Sequence, residues 1–222
     1  MQTLIKSLLI GAVVGAVLDT NAQNVTVDPA TLTSGYMNWS PMPGDVSGYG
    51  GYGSSGWGLS DLQAKFSGTT LTLNPNVNTY APGNNYWVNA DGSGANYMDA
   101  NIYNESTGTY VGATLTFSFD VLANTLTAPY SSIAFIKDFA PDYSSFSEAS
   151  VALAPGVESI SLLTSGNAGD HIQYGFETYG PDTNPTSPAA SDFASIAPAT
   201  VPEPCTMSLL GLGLLGLWRS RK

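Results

Sequence analysis

Few side chains in this 222-residue sequence are suited to covalent chemistry. His171 is the only histidine and Cys205 the only cysteine, and Cys205 lies in an apolar run close to the C-terminus. A Cys–His nucleophilic pair, a multi-histidine zinc site and an intramolecular disulfide are therefore all excluded. Carboxylates remain. Asp138 with Asp142, or Asp99 with Glu105, are residue types that a glycosidase uses as acid and base, although spacing along the chain does not set their separation in space. The expectation is a protein without catalytic residues.

Binding chemistry has stronger candidates. The stretch from Asn89 to Asn96 reads Asn-Ala-Asp-Gly-Ser-Gly-Ala-Asn, and Asp99 follows three residues later. Oxygen ligands concentrated on a glycine-rich loop are what calcium requires, so Asn89, Asp91, Ser93 and Asp99 are the candidate metal ligands. EF-hand spacing and its terminal glutamate are missing, and an Asx-and-Gly turn between strands has the same composition. The second candidate is the loop from Gly44 to Trp57, which carries Tyr49, Tyr52 and Trp57 among glycines and serines. Aromatic faces stack on the C–H faces of sugar rings while neighbouring polar groups take the hydroxyls. A surface loop whose tyrosines fold back onto the domain would show the same residues.

Charge narrows the partners. Between Gln23 and Pro202, fifteen Asp and Glu stand against two basic residues, Lys65 and Lys137. Such a surface repels phosphate backbones, which excludes nucleic acid, and it suits divalent cations or simply keeps the chain in solution.

These side chains must be positioned by strands. Charged residues are only 10% of the sequence, and Gly, Ser, Thr, Asn and Tyr are abundant. From Val25 to about Tyr179, short β-type runs alternate with Gly, Asn, Pro and Ser clusters. In Thr114–Val121, Leu115, Phe117, Phe119 and Val121 fall on one face while Thr and Ser fall on the other, as in a sheet with one buried face. Comparable runs cover residues 35–39, 57–66, 69–73, 97–103, 132–138, 147–153, 157–162 and 171–179. The pattern predicts an all-β domain, an antiparallel β-sandwich of jelly-roll type, over residues 23–180. Residues 181–200, rich in Pro, Ser and Ala, read as a linker.

Both ends carry membrane-directed signals. Lys6 precedes an apolar run from Ser7 to Leu18, and small residues end at Ala22, the layout of a cleavable secretory signal over residues 1–22. At the other end Pro202-Glu203-Pro204 leads into an apolar run through Trp218 and the basic cluster Arg219, Arg221 and Lys222. As a helix that run reaches ~21 Å, short of a bilayer core of ~30 Å. The basic end should stay cytoplasmic.

This C-terminal combination resembles the PEP-CTERM sorting domain of Gram-negative bacteria. The resemblance covers residues 201–222. It implies recognition by an exosortase at the inner membrane, cutting near Pro202-Glu203-Pro204, and delivery to the cell surface or extracellular matrix. The central region is broadly similar to galactose-binding-like jelly rolls and other carbohydrate-binding sandwiches, without a diagnostic motif. The resulting expectation is an exported, non-enzymatic protein that contacts polysaccharide, with calcium as a bound ion. The rivals are a structural protein that self-associates through its tyrosine-rich loops and a secreted glycoside hydrolase.

Overall fold

The computed structural model of the chain describes residues 22–26, 28–42 and 50–200. The expected signal segment over residues 1–21, Tyr49 and the sorting tail from Val201 onward lie outside them.

Twelve strands carry the described fold: β1 (Ala22–Thr26), β2 (Ser34–Pro41), β3 (Gly53–Gly56), β4 (Ala64–Ser67), β5 (Thr70–Leu73), β6 (Asn96–Thr107), β7 (Thr114–Asn124), β8 (Ser131–Phe139), β9 (Phe146–Ala152), β10 (Gly156–Leu163), β11 (His171–Pro181) and β12 (Ala194–Pro198). Two short 3-10 turns, Pro29–Thr31 and Pro188–Ser191, complete it. The first sheet runs β1-β7-β12-β5-β4, with β10 on the other side of β7. The second runs β3-β2-β6-β11-β8-β9. The pairings are antiparallel except that of β1 with β7.

The all-β expectation holds, and alternation explains it. On β7 Leu115, Phe117, Phe119 and Val121 are buried, and Thr116, Ser118 and Asp120 are only partly so. Phe117 and Phe119 of the first sheet each lie 5.3 Å from the ring of Phe176 on the second, Phe119 edge-on at 88°. Met37, Leu71, Met98, Ile102, Ile136 and Ile196 fill the same core. Burying one side chain of this size is worth about 1.5–3 kcal/mol.

Two segments depart from the sequence expectation. Residues 57–63 form a turn instead of a strand: Gly58 O accepts from the N–H groups of Asp61 and Leu62, and Gln63 has φ 62°. Only Ala64–Ser67 continues extended, because Leu62 drops into the core and ends the alternation. The reading of residues 181–200 as a linker is corrected. Ala194 and Ile196 are fully buried in β12, which pairs with both β5 and β7. An alternation of two apolar side chains among prolines is too brief to register as a strand, and what orders it is the partners on either side.

Candidate functional site

Alternate residues of the central strands build the outward face of the second sheet. Met98, Ala100 and Ile102 of β6 face the core, which turns Asp99, Asn101, Tyr103 and Glu105 the other way. Register then assembles the rest. Gln173 of β11 lies opposite Glu105 and Glu177 opposite Asn101. Lys137 of β8 lies opposite Gln173, while Tyr36 and Asn38 of β2 lie opposite Asn101 and Asp99. With Ser54 of β3 and the turn after β8, these residues other than Glu177 wall a groove of about 670 Å³.

One polar network crosses its middle. Asp99 accepts from Asn101 Nδ2 at 2.7 Å and from Asn38 Nδ2 at 3.1 Å. Lys137 Nζ donates to Asn101 Oδ1 at 3.0 Å, lies 3.5 Å from Glu177 Oε2, and sits 4.2 Å from the centre of the Phe135 ring. Burial raises the Glu177 carboxyl to about 7, the Asp99 charge adds to that, and Lys137 offsets part of it. Burial also pushes Asp99 up, against the pull of Asn38 and Lys137. The Asp99 charge thus favours the protonated form of Glu177, and Glu177 in turn favours the ionised form of Asp99.

A second network forms one end of the groove. Glu105 accepts from Gln173 Nε2 at 2.6 Å and from Tyr143 Oη at 2.9 Å. Burial and Glu105 together drive the Tyr143 hydroxyl up to about 12, so it stays a donor. Tyr143 stacks on His171 at 4.3 Å and 12°, and His171 Nδ1 is 2.7 Å from Thr107 Oγ1. The Tyr143 backbone has φ 57°, a left-handed conformation that costs a non-glycine residue about 1–2 kcal/mol. Beside it Phe146 packs 4.9 Å from Phe139. Tyr36, Tyr143 and Phe146 keep 37%, 48% and 54% of their surface in solvent, enough to receive a ligand face. At the centre, a Cβ on Gly175 would meet Tyr103 Cα at 2.7 Å, so glycine is what lets Tyr103 lie so close to β11.

The sequence candidates are dispersed over the fold. Tyr52 is 83% exposed, and Trp57 packs against Trp39 at 6.3 Å beside the core. Neither lines the groove, and Tyr49 lies outside the described residues. Asn89 and Ser93 share a smaller cavity of about 330 Å³ with Asp182. Asp91 is engaged locally, accepting from Ser93 N at 2.9 Å and Ser93 Oγ at 2.6 Å, which holds its carboxyl below the usual range. Asp99 belongs to the groove and not to that loop.

Of the carboxylate pairs, Asp138 is buried and accepts from Ser165 N at 2.6 Å. Asp142 caps its own turn through Ser144, at 2.6 Å to the hydroxyl. Asp99 and Glu105 are six residues apart on one strand, ~20 Å of backbone. Either stereochemical course of glycoside hydrolysis needs carboxyls within about 10 Å.

Tyr36, Asn38, Asn101, Tyr103, Lys137, Gln173 and Glu177 are absent from the sequence candidates. The signal that could have found Asn101 and Tyr103 is the odd-numbered series Tyr97, Asp99, Asn101, Tyr103, Glu105. Its members are all polar or aromatic, on a strand whose other face is apolar.

Comparison with known proteins adds the following. Residues 200–222 match the PEP-CTERM protein-sorting motif. No curated protein matches the chain. A solved structure described as TmCBM61 in complex with β-1,4-galactotriose is similar at 11% identity, covering 58% of this chain and 78% of that one, with a TM-score of 0.29.

Proposed function

We propose that this is an exported, exosortase-sorted envelope or matrix protein whose jelly-roll-type domain binds a polysaccharide chain along the groove of the second sheet. The carrying observation is the groove itself. Exposed Tyr36, Tyr143 and Phe146 offer stacking faces, and Asp99, Asn101, Lys137 and Glu105 offer fixed hydrogen-bonding groups between them. From β3 to β9 it crosses five strand spacings, roughly 24 Å, which suits an extended chain better than one sugar. Asp99 and Glu105 outnumber Lys137, so the glycan is neutral rather than sulfated or uronic. The sorting motif at residues 200–222 supports export, with the tail as a transient address in the inner membrane.

No catalytic role is assigned. Asp99 and Glu105 lie too far apart along β6 to flank one glycosidic bond.

The test is glycan-array binding of the full-length chain in mild detergent, followed by affinity electrophoresis on the polysaccharides retained. Retention of a neutral glycan by the native chain and about ten-fold weaker binding in Tyr103→Ala is expected. Retention of no glycan would sink the proposal. Self-association that disappears in Tyr52→Ser would then favour the structural rival, because Tyr52 is the most exposed large hydrophobic side chain among those described.

A further inference from the structure

At the end of β11, Asp182 presents a problem of charge. It is 1% exposed, and both carboxylate oxygens are buried without a hydrogen-bond partner. The Thr79 hydroxyl is buried and unpartnered in the same way. Thr79 stands close enough to favour the ionised carboxylate, yet no hydrogen bond closes between them. The Thr183 N–H likewise favours the ionised carboxylate, but its hydrogen bond goes elsewhere. Asp182 N donates to Asn96 O at 2.9 Å, and Thr183 N to Asn76 O at 2.8 Å.

Among the described residues, each cationic side chain is engaged elsewhere. Lys65 and Lys137 are the lysines among the described residues. Lys65 Nζ donates to Asn74 at 3.1 Å, Lys137 serves the groove, and the His171 ring is held between Thr107 and Pro141. An isolated buried carboxylate costs several kcal/mol unless something neutralises it. A proton would satisfy one oxygen and leave the other bare. A hard cation satisfies both oxygens and the Thr79 hydroxyl together.

Three segments close around this point. Tyr80 Oη donates to Gly92 O at 2.8 Å, and Asn89 Nδ2 donates to Gly94 O at 3.1 Å. Gly94 lies so near Asp182 that a Cβ there would meet the Asp182 carbonyl oxygen at 2.1 Å. Asp182, Asn89, Gly92 and Ser93 wall the cavity of about 330 Å³ that gives access from solvent. Among the described residues no three His, Cys, Asp or Glu side chains gather around a point. The donor set here is instead the Asp182 carboxylate and the Thr79 hydroxyl, beside a loop whose Gly92 and Gly94 carbonyls accept from Tyr80 and Asn89.

We infer that Asp182 and Thr79 are ligands of a calcium ion that ties the end of β11 to the loops at residues 76–80 and 89–94. Calcium accepts irregular oxygen shells of this kind, whereas magnesium demands a tighter octahedron. The ion replaces the missing partners, so its effect is on stability and does not depend on glycan binding.

The experiment is a thermal melt of the full-length chain in detergent at pH 7.5. The chain is stripped with chelator and then supplied with calcium or magnesium, with bound calcium counted by equilibrium dialysis. Calcium at a hundred-fold excess over its Kd is expected to raise the Tm by about 5–10 °C, with one ion bound per chain. Magnesium should give much less. Asp182→Asn should abolish the shift and the bound ion, and Thr79→Val should weaken both. Asp91→Ala should leave both intact, since Asp91 is spent on Ser93. A Tm insensitive to chelator and calcium, with no ion retained, overturns the site. So does a shift that survives in Thr79→Val but vanishes in Asp91→Ala. If Asp182→Asn does not fold, the native stoichiometry and the Thr79→Val and Asp91→Ala pair still decide.

Discussion

Tyr103 and Asn101 are neighbours on the same face of β6, yet their removal should read differently. Tyr103 is half-buried and its hydroxyl makes no side-chain hydrogen bond among the described residues, so Tyr103→Ala chiefly removes a stacking face. Glycan affinity should fall about ten-fold, with a shift in Tm of no more than a few degrees. Asn101 is 5% exposed and holds both Asp99 and Lys137 in place. Asn101→Ala leaves two charged groups short of a partner, so it should abolish glycan retention and also cost ~1–3 kcal/mol of stability in denaturant melts. Equal effects of the two substitutions on binding and stability would show that the groove is scaffold and not site. Asp99 was legible in the sequence as an oxygen donor, but its company was not. Cross-strand register, set by residues 38, 101 and 177 on three different strands, decides whether Asp99 meets a loop or a lysine. The aromatic loop misled for a related reason. The sequence shows Trp57 beside glycines but does not show Trp39 waiting beneath it, whose ring a Cβ on Gly53 would meet at 2.3 Å.

Strands that carry their own alternation were readable, and strands that borrow order from neighbours were not. β7 announces its buried face through Leu115, Phe117, Phe119 and Val121, and β6, β8 and β11 repeat the pattern with long runs. β1, β3 and β12 are four or five residues each, and their extended state is fixed by pairing with β7, β2 and β5. β12 gives the sharpest test, because its composition reads as linker while Ile196 is fully buried between Leu71 and Val121 in register. Ile196→Ala should lower unfolding free energy by about 2–5 kcal/mol, the range for a large-to-small change in a packed core. A chain ended after Gly180 should lose cooperative melting, since it exposes both β5 and the second half of β7. A linker would tolerate either change with a Tm shift below one or two degrees, and circular dichroism melts separate the two outcomes.

For the whole molecule, the buried acids set an unusual dependence on pH. Most proteins lose stability on acidification because paired carboxylates must be protonated. Here Glu177 and Asp182 are both pushed up to about 7, burial being the leading cause in each. Their ordinary values are 4.5 and 3.8. Between those values and 7 the folded chain binds protons that the unfolded chain has released, so unfolding stability falls as pH rises through that window and levels off above it. Each proton bound only by the folded chain adds to that slope, so the two sites act together. Asp99 and Asp138, also raised by burial, act in the same direction. Asp91 and Asp142, held low by Ser93 and Ser144, titrate below the window and leave its slope unchanged. In chelator, the Tm of the native chain should therefore drop steadily from pH 5 to pH 8. Glu177→Gln removes the share of the groove and should flatten part of the slope whether or not metal is present. Calcium removes the share of Asp182 only, by supplying the charge that its burial withholds, so the slope that remains in Glu177→Gln should vanish further when calcium is added. A native Tm that is flat or rising from pH 5 to pH 8 in chelator would mean that both carboxyls ionise freely in the fold. It would remove the charge argument beneath both sites at once.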